Sequence, residues 1–341
     1  MHKGDVLVSV CISVYNGMGS LGQCLDSVIS QGVGPMEVVL VDDGSTDDTL
    51  RVMREYERRC AGSAVKVKVI EQRHLGLAQG RCTGVMNATG DFVTFLDADD
   101  RLLEGAYKKV LQRMRHARAD VYEFQTMRDD YYARSPYSGV MDAKRVLTDY
   151  FNGVGMPVNY WLRWFKRELL PRRVFPQGVS LHEDVYAFPC ILNEAKSIAY
   201  IEEPLHVHAR NEASIMGRYQ ALRGTRAYFE GQRALLGTIP HIVGNIGPDV
   251  IEREYKEPFA RYVARISRNA VLADAGDVTY EERIDAVASA LGRDMSRREV
   301  ERIIERGLDG KGRLNRAIRV VGLRNAYRLH GLLRQGHGRS Q

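Results

Sequence analysis

The chain has 341 residues, of which 44% are hydrophobic and 27% are charged. A chain of this size and composition can bury a sizeable core, which excludes a small scaffold that depends on disulfides. Its five cysteines are scattered without a Cys-x-x-Cys pair, as expected for reduced thiols in a cytosolic protein that has no structural zinc site. The formal net charge is +6, and no acidic residue follows Asp309, so the C-terminal tail is wholly basic.

Strand and helix patterns alternate over the N-terminal part of the chain. The run Val6–Val14 is apolar and rich in β-branched residues, which predicts a buried strand rather than a signal peptide, because no small-residue cleavage site follows it. This alternation predicts βαβ units, and therefore an α/β fold with a mostly parallel sheet flanked by helices. Further strands are predicted over Met36–Val41, Val65–Glu71 and Phe92–Leu96, and helices over Leu21–Ile29, Thr46–Arg59 and Leu77–Asn87.

The pattern changes in the second part of the chain. It is mixed between 101 and 215, and from Gly217 onwards only helical periodicity remains. We therefore predict an α/β domain over 1–215 and an α-helical C-terminal extension over 216–341. The mixed region predicts helices over Leu102–Ala117 and Glu183–Leu192 and strands over Asp120–Gln125 and Ser197–Ile201, and the helical region has a break at 237–248.

Acidic residues follow two of the predicted strands. Asp42 and Asp43 end the second strand, and Asp97, Asp99 and Asp100 follow the fourth. Ligands of open α/β sheets bind at the carboxyl ends of the strands, so we expect these side chains to share one site. Three carboxylates in four residues repel one another, and their hard oxygens suit Mg²⁺ or Mn²⁺ bound together with substrate phosphates. An acidic turn that caps the next helix is the structural alternative.

Gly17, Gly19 and Gly22 form a Gly-x-Gly-x-x-Gly pattern between the first strand and the first helix, and Asp42 lies twenty residues further on. This pattern is the fingerprint of dinucleotide binding, and it supports an NAD-dependent oxidoreductase as an alternative function. However, polar residues separate the strand from Gly17, and this interpretation leaves the later acidic residues without a role. A flexible polar loop is the interpretation that we favour for the three glycines.

Four motifs occur in order in the first domain. They are an apolar strand ending in Tyr-Asn, then Val-Asp-Asp-Gly-Ser-Thr-Asp-x-Thr, then Gly-Leu followed by Arg, and then Gly-Asp-x-x-x-Phe-Leu-Asp-x-Asp-Asp. Together they resemble the inverting glycosyltransferases of family 2, of the bacterial surface-polysaccharide type. The resemblance implies the GT-A fold, which is Rossmann-like. The motifs occupy Val8–Asn16, Val38–Thr49, Gly76–Arg81 and Gly90–Arg101.

The resemblance also implies roles for individual residues. Residues 1–103 would form the nucleotide-sugar-binding half of the domain and 104–215 the acceptor half. Asp43 would contact the base, which is usually uracil, and Arg81 the base or the phosphates. His74 departs from the Asn that is common at its position. The implied nucleotide-sugar contacts are Ser13, Tyr15, Asn16, Asp43, Arg81, Asp97 and Ala98, and the implied metal ligands are Asp99, Asp97 and Asp100.

Beyond residue 160 the resemblance is weaker. The segment Trp161–Leu170 is similar to the family's Trp-x-Lys-x-Tyr-Lys-Arg-Glu-Leu-Leu, with Arg163 in place of the lysine. We assign Trp161 and Arg163 to acceptor binding, and core packing remains an equal alternative for Trp161. The pair Glu183-Asp184 resembles the family's Glu-Asp motif, which implies that Asp184 is the general base and that Glu183 is catalytic beside it.

A last motif, Glu203–His208, is similar to a Pro-Leu-Tyr-x-Tyr segment of the family, with both tyrosines replaced by His206 and His208. The two histidines alternate on a predicted strand, so they point to the same side of it. His208 is a candidate metal ligand. A core or surface histidine is the structural alternative.

These features predict a metal-dependent inverting glycosyltransferase, either a hexosyl- or an N-acetylhexosaminyl-transferase. It would move a sugar from a UDP-sugar to a hydroxyl of a glycan or lipid-linked acceptor. Mn²⁺ or Mg²⁺ would offset the charge of the leaving diphosphate, and an Asp base would take the acceptor proton in a single displacement. A sugar-nucleotide-binding protein without catalysis is a further alternative.

The basic tail has apolar residues at intervals between its arginines over Leu314–Leu333. This pattern fits an amphipathic helix on an anionic membrane surface, or equally a basic helix docked on the protein. We find no nucleic-acid-binding module and no apolar run long enough to span a membrane. The sequence therefore predicts a cytoplasmic protein, peripheral at the inner face of the membrane if the tail binds lipid.

Overall fold

The computed structural model describes residues 7–32, 35–128, 131–133, 135–179, 181–209, 215–291, 295–307 and 323. The chain divides into two compact units. One unit is Met1–Leu147 with Gly155–Asn211, and the other is Thr148–Val154 with Glu212–Gln341. The division near residue 211 lies close to the expected boundary at 215, whereas 148–154 belongs to the second unit.

The first unit contains one mixed sheet of ten described strands. The strands are β1 (Val8–Val14), β2 (Met36–Asp42), β3 (Val65–Glu71), β4 (Phe92–Phe95), β5 (Arg101–Leu102), β6 (Val121–Arg128), β7 (Tyr131–Ala133), β8 (Val140–Asp142), β9 (Arg163–Lys166) and β10 (Ser197–Val207). Their order is β3-β2-β1-β4-β9-β6-β10-β5, with β7 beside β6 and β8 beside β10.

The sheet is mostly parallel, as the sequence predicted. β1 pairs in parallel with β2 and β4, β2 with β3, and β6 with β10. β9 lies antiparallel between β4 and β6. The other six strands named here therefore all run in one direction, and they are β1, β2, β3, β4, β6 and β10. The helices of this unit are α1 (Met18–Ile29), α2 (Thr49–Arg59), α3 (Leu77–Asn87), α4 (Ala106–His116), α5 (Ala143–Phe151), which continues into the second unit, and α6 (Glu183–Glu194).

The burial of the central strands explains why their sequences are almost continuously apolar. Every residue of β2 is buried, and six of the seven residues of β1 are buried, whereas the outer strand β3 alternates between buried and more exposed positions. Strands covered by helices on both faces cannot alternate apolar and polar side chains. The alternation in β3 therefore indicates its place at the edge of the sheet.

Helix α3 packs closely on β1 because two of its residues are glycines. A Cβ atom at Gly80 would lie 1.9 Å from Ser13 Oγ, and one at Gly84 would lie 3.1 Å from Cys11 Cβ. The glycine at 80 is therefore required by the approach of the helix to the strand. This approach buries the next residue, Arg81, beside the carboxyl end of the sheet.

Several elements differ from their predicted extents, among them α2, β9 and a helix of the second unit. α2 begins at Thr49 rather than Thr46, because Ser45 and Thr46 bind the neighbouring β1–α1 turn instead of capping the helix. β9 was not predicted, since its residues form a short strand inside a polar motif. The predicted break at 237–248 contains a nine-residue helix, Thr238–Ile246.

The second unit is helical in its described part. A fully buried cation, Arg283, donates hydrogen bonds to the carbonyl oxygens of Val278, Val271, Ala273 and Ala275. These acceptors lie at and beyond the end of a helix, where carbonyl groups lack helical partners. The helices are α7 (Ile215–Ala221), α8 (Arg226–Ala234), α9 (Thr238–Ile246), α10 (Pro248–Val250), α11 (Lys256–Val271), α12 (Tyr280–Leu291) and α13 (Arg297–Gly307).

The basic tail at 314–333 lies outside the described residues, with the exception of Leu323. Leu323 is buried, and its backbone N–H donates to Glu305 Oε1 at 2.8 Å. None of the helices in the described part of the chain is both long and apolar enough to cross a membrane.

A buried polar network lies at the amino end of β1. Glu37 accepts hydrogen bonds from Ser9 Oγ and from the backbone and side chain of Thr89, and Gly90 N–H donates to Ser9 Oγ at 2.9 Å. Burial opposes the ionisation of Glu37, but these donors outweigh it and lower its pKa. The turn at Gly90 is therefore fixed against the sheet immediately before β4.

We predict that Gly90→Ala lowers the free energy of unfolding by about 1–3 kcal/mol, because the added methyl group overpacks this turn. Its Cβ would lie 2.6 Å from Ser9 Oγ, 2.8 Å from Ser9 N and 2.9 Å from Leu7 O. Urea unfolding measures the change. Gly19→Ala is the matched control, since no atom lies within 4 Å of its Cβ position in α1. An equal loss in both variants would contradict this packing.

Candidate active site

The candidate site lies at the carboxyl ends of β1, β2 and β4, where parallel strands deliver their following loops to one edge of the sheet. The β1–α1 turn, the β2–α2 loop and the acidic turn after β4 meet there. The segment that links β3 to α3 and the start of α6 complete the site.

The β1–α1 turn is fixed by hydrogen bonds to the β2–α2 loop. Asn16 adopts a left-handed backbone conformation with φ of 52°. Its Oδ1 accepts the Thr46 N–H at 2.7 Å, and its own N–H donates to Ser45 Oγ at 3.0 Å. Asparagine tolerates this conformation better than most residues. The Asn16 side chain therefore shapes the loop that would surround a nucleotide.

Two N–H groups at the start of α1 donate to side chains of the protein. Gly17 N–H donates to Thr49 Oγ1 at 2.9 Å, and Met18 N–H donates to Asp47 Oδ2 at 3.4 Å. A dinucleotide-binding turn needs such groups for the ligand. These two N–H groups are therefore not free for a pyrophosphate, which disfavours the oxidoreductase alternative.

Asp43 is committed to the segment that follows β3. Its Oδ1 accepts the Leu75 N–H at 2.9 Å and Gln72 Nε2 at 2.6 Å, and its Oδ2 accepts the Gly76 N–H at 2.8 Å. His74 Nδ1 lies 2.8 Å from the same Oδ2. Both carboxylate oxygens thus have donors inside the protein, and the contact of Asp43 with the base stays a prediction.

Asp42, which ends β2 beside Asp43, is a second candidate for that contact. It is 4% exposed, and its Oδ1 has no hydrogen-bond partner among the described residues. Its Oδ2 accepts the Ser45 N–H at 3.3 Å. A buried acceptor without a donor is costly, and a ligand N–H would satisfy it.

Tyr15 provides an exposed aromatic surface at the same edge. It is 47% exposed, and its ring stacks on the imidazole of His74 with 4.0 Å between centroids. Because His74 is also held by Asp43, the Tyr15 ring has a fixed neighbour. Ser13 precedes Tyr15 by two residues in β1, where it is half-buried against Gly80 of α3.

Arg81 connects the two sides of the site. Its Nη2 donates to Asp97 Oδ1 at 2.7 Å, and its Nη1 donates to Glu183 Oε1. Burial opposes the charge of this guanidinium, but the two carboxylates outweigh the burial and raise its pKa. The side chain is 5% exposed, so it is an internal bridge in this structure rather than a free phosphate ligand.

Asp100 is enclosed by histidines from the end of β10. Its Oδ2 lies 3.1 Å from His206 Nε2, and its Oδ1 lies 3.1 Å from His208 Nδ1 and accepts the Ala209 N–H at 2.9 Å. Burial raises the pKa of this carboxyl, but the two histidines outweigh the burial and lower it to about 2. Asp100 therefore anchors β10 to the acidic turn, and its assignment as a metal ligand stays a prediction.

The two residues that were assigned to the acceptor are buried. Trp161 is 7% exposed and stacks on His206 at 4.4 Å and on His208 at 5.2 Å. Arg163 is 0% exposed and forms an ion pair with Glu123. Both side chains are buried in this structure, which favours packing roles, and their assignment to the acceptor stays a prediction. The motif that contains them is a packing motif here, because β9 runs through the centre of the sheet.

The remaining candidate ligands for a cation are Asp97 and Asp99. Among the described residues, no group of three or more His, Cys, Asp or Glu side chains is arranged to hold a metal ion. Mg²⁺ in nucleotide sites needs only one or two carboxylates, because substrate phosphates and water supply the other ligands. Asp97 and Asp99 are both half-buried on either side of Ala98 in one turn, so both remain candidate ligands for such a partial site. His208 is half-buried against Asp100.

Asp184 lies in the first turn of α6, next to Glu183. Its Oδ1 accepts the Val185 N–H at 2.9 Å, and its Oδ2 accepts Asn159 Nδ2 at 3.3 Å. Burial and the neighbouring Glu183 charge raise its pKa to about 7, against the opposing charge of Arg81. A carboxyl with this pKa is suited to proton transfer at neutral pH.

Comparison with known proteins shows which part of the chain resembles a known family. Residues 9–163 match the model of glycosyl transferase family 2. Over these residues, which are less than half of the chain, the protein is similar to family 2 glycosyltransferases. The match includes the β1 strand, the acidic turn and Arg163, and it ends before Asp184. The α6 acids therefore lie outside the matched segment.

Two curated relatives of this chain are glycosyltransferases by name. Glycosyltransferase GlyA of Streptococcus pneumoniae serotype 4 is 28% identical over 224 residues, which cover 62% of this chain and 32% of GlyA. The uncharacterized glycosyltransferase EpsJ of Bacillus subtilis is 25% identical over 219 residues, which cover 61% of this chain and 62% of EpsJ. The aligned regions thus span about a third of GlyA and less than two thirds of EpsJ.

A solved structure confirms the predicted GT-A fold. The crystal structure of S. aureus TarS 1–349 in complex with UDP-GlcNAc is similar with a TM-score of 0.65 and 19% sequence identity. The similarity covers 96% of this chain and 92% of that chain. The similarity therefore includes the helical C-terminal region as well as the segment 9–163.

We predict that Asp184→Asn raises the melting temperature by a few degrees at pH 8 and has little effect near pH 4. The folded protein keeps a proton on Asp184 up to about pH 7, whereas the unfolded chain releases it near the ordinary value of 3.8. Between these values the unfolded state binds fewer protons, so this residue makes the protein less stable as the pH rises. Asparagine removes the buried charge.

Thermal unfolding between pH 4 and pH 8 measures this difference. Glu194→Gln is the matched control, because Glu194 is an exposed acid at the other end of α6. A melting temperature for Asp184→Asn that stays parallel to that of the wild type across this range would contradict the raised pKa.

Proposed function

We propose that this protein is a metal-dependent inverting glycosyltransferase that moves a sugar from a UDP-sugar to a hydroxyl group. The observation that carries the proposal is the bridge from Asp97 through Arg81 to Glu183. It brings the acidic turn after β4 close to Asp184, so the candidate donor site lies beside the candidate base. The two roles need acids that are distant in sequence but close in space.

The nucleotide would bind at the ends of β1 and β2. The Tyr15 ring offers a stacking surface, and Asp42 Oδ1 offers a buried acceptor for the imide N–H of uracil. The family 2 match and the UDP-GlcNAc complex of TarS support a UDP-sugar as the donor. Ser13, Asn16 and Ala98 would shape this part of the pocket.

Asp99 and Asp97 would hold Mn²⁺ or Mg²⁺ together with the diphosphate. The bound cation supplies Lewis-acid stabilisation of the charge that develops on the leaving nucleoside diphosphate. Asp97 already contacts one cation, the Arg81 guanidinium, through Oδ1. Arg81 thereby orients the Asp97 carboxylate. Asp100 holds the same turn by accepting a hydrogen bond from the Ala209 N–H after β10.

Asp184 would act as the general base. Its carboxylate takes the proton from the acceptor hydroxyl as the oxygen attacks the anomeric carbon from the side opposite to the diphosphate. This single displacement inverts the configuration of that carbon. Glu183 assists by neutralising Arg81 and by raising the pKa of Asp184.

The acceptor would be a glycan or a lipid-linked saccharide of the bacterial cell envelope. Relatives that are glycosyltransferases of bacteria support this setting. A lipid-linked acceptor would give the basic C-terminal tail a use, because arginines attract anionic lipid head groups. The protein would then work at the cytoplasmic face of the membrane.

We predict that the full chain with Mn²⁺ releases UDP from at least one UDP-sugar, and that Asp184→Asn lowers kcat by roughly 10²–10⁴-fold, the usual worth of a general base. UDP binding should stay within twofold of the wild type, because Asp184 is on the acceptor side. In the wild type, kcat should rise with pH and level off above about pH 7, since only the ionised carboxylate accepts a proton.

A panel of UDP- and GDP-sugars with detection of the released diphosphate tests this proposal. Turnover that survives in Asp184→Asn would remove Asp184 as the base. UDP binding without release from any donor would favour the non-catalytic binding protein, and tight NAD binding would favour the oxidoreductase.

A second prediction concerns the cation. Asp99→Asn should weaken Mn²⁺ binding in the presence of UDP by at least about tenfold, because it removes a charged oxygen ligand. Electron paramagnetic resonance of Mn²⁺ titrations measures binding without any turnover. Glu203→Gln is the control, since Glu203 is an exposed acid of the same domain. Equal Mn²⁺ affinity in the two variants would contradict Asp99 as a ligand.

A further inference from the structure

Asp184 is held by a residue from outside its own helix. Its Oδ1 accepts the backbone N–H of Val185 within α6, whereas its Oδ2 accepts the side-chain amide of Asn159. Each oxygen therefore has one donor, and the two donors come from different segments of the chain. A carboxylate with a donor on each oxygen cannot rotate freely, so its remaining lone pairs keep one direction.

The segment that carries Asn159 is fixed by a buried guanidinium. Arg163 Nη1 donates to the backbone oxygen of Asn159 at 2.8 Å, and Arg163 Nη2 donates to the backbone oxygen of Pro157. Arg163 is fully buried at the start of β9. The 157–159 segment precedes a short 3₁₀ turn at Tyr160–Leu162 and has no ladder of its own, so these bonds replace strand pairing.

The same guanidinium also contacts the helix that carries Asp184. Arg163 lies over the ring of Phe188 at 4.4 Å, and Phe188 is one helical turn after Asp184 on α6. On its other side, Arg163 Nε donates to Glu123 Oε2 at 2.8 Å. One cation thus sits between the segment of Asn159, the α6 helix and the β6 strand.

Burial of the Glu123–Arg163 pair costs desolvation free energy. Glu123 is 3% exposed, and burial raises its pKa in spite of the neighbouring guanidinium. Two apolar side chains of similar size could fill such a space at no cost in stability. A buried ion pair can instead fix geometry, and here the geometry that it fixes is the distance between Asn159 and Asp184.

We propose that Asn159 is a positioning residue for Asp184, and that the Glu123–Arg163 pair holds Asn159 in place. This inference rests on the proposed function, in which Asp184 is the base. Asn159 does not touch the reacting atoms. It aims the carboxylate and stabilises its ionised form with a hydrogen bond.

The charges around Asp184 determine how the loss of Asn159 should change the pKa of Asp184. Glu183 and Asp97 disfavour the ionised carboxylate and Arg81 favours it, while the Tyr160 hydroxyl faces the same group. None of these partners changes when Asn159 is replaced by an apolar residue. Removal of one donor to the charged form therefore raises the pKa of Asp184.

The first test is Asn159→Leu, which removes the amide but keeps the size of the side chain. We expect kcat to fall roughly ten- to a hundredfold, as for a lost hydrogen bond to a charged group, and the KM of the donor to stay within twofold. The acid limb of the kcat profile should move to higher pH by about one pH unit. Val158→Ala is the matched control in the same segment and should leave both values unchanged.

The second test separates positioning from folding. Arg163→Lys keeps the charge but loses the fork that reaches both the 157–159 segment and Glu123. We expect the same shift of the pH profile as in Asn159→Leu. The double variant should shift it no further, because both changes act through one contact. Additive shifts would show that Arg163 does not act through Asn159.

A third measurement does not depend on turnover. Protein with ¹³C-labelled Asp carboxyl groups gives the pKa of Asp184 by NMR titration, with its resonance identified by its loss in Asp184→Asn. An Asp184 pKa that is equal in the wild type and Asn159→Leu would overturn the inference. Turnover retained by Asp184→Asn would instead overturn the proposed function, so the two failures are distinguishable.

Discussion

The candidate site depends on one buried guanidinium. A cation removed from water must keep its carboxylate partners, because an unpaired buried charge costs several kcal/mol in practice. Arg81 has two such partners, Asp97 on the turn after β4 and Glu183 at the start of α6. The close approach of Gly80 to β1 places this charge, so a glycine and an arginine in succession decide where the acidic turn and α6 meet. The spacing between the two halves of the site follows from that bridge.

The sequence predicted the α/β fold well because the central strands are buried on both faces. Runs such as Val8–Val14 are short, apolar and rich in β-branched residues, which favours interior strands, and the loops at their ends carry the polar motifs. The site was predicted less completely, because carboxylates and arginines look alike in sequence whether they face a ligand or a partner. Asp43 and Asp100 have donors inside the protein, whereas Asp42 keeps one oxygen without a partner among the described residues, and only folding brings these partners together.

Backbone conformation marks the same site independently of charge. Among the described residues, the non-glycine residues with positive φ are Asn16 at 52° and His182 at 64°. One begins the turn after β1, and the other precedes the Glu183-Asp184 pair. Such conformations persist where the surrounding contacts over-determine them, and they cluster at functional positions. No periodicity in the sequence announces them, although Asn is a permissive residue for this region.

The unsatisfied oxygen of Asp42 has a consequence for the choice of nucleotide under the proposed function. An ionised carboxylate only accepts hydrogen bonds, so it rewards a base that presents an N–H and penalises one that presents a lone pair. Uracil carries an N–H at its N3 position, whereas cytosine carries an acceptor there. A buried acceptor facing a buried acceptor leaves both without a donor, which is a stronger basis for discrimination than shape. A single oxygen atom at the end of β2 would thus separate uridine from cytidine donors that are almost identical in size.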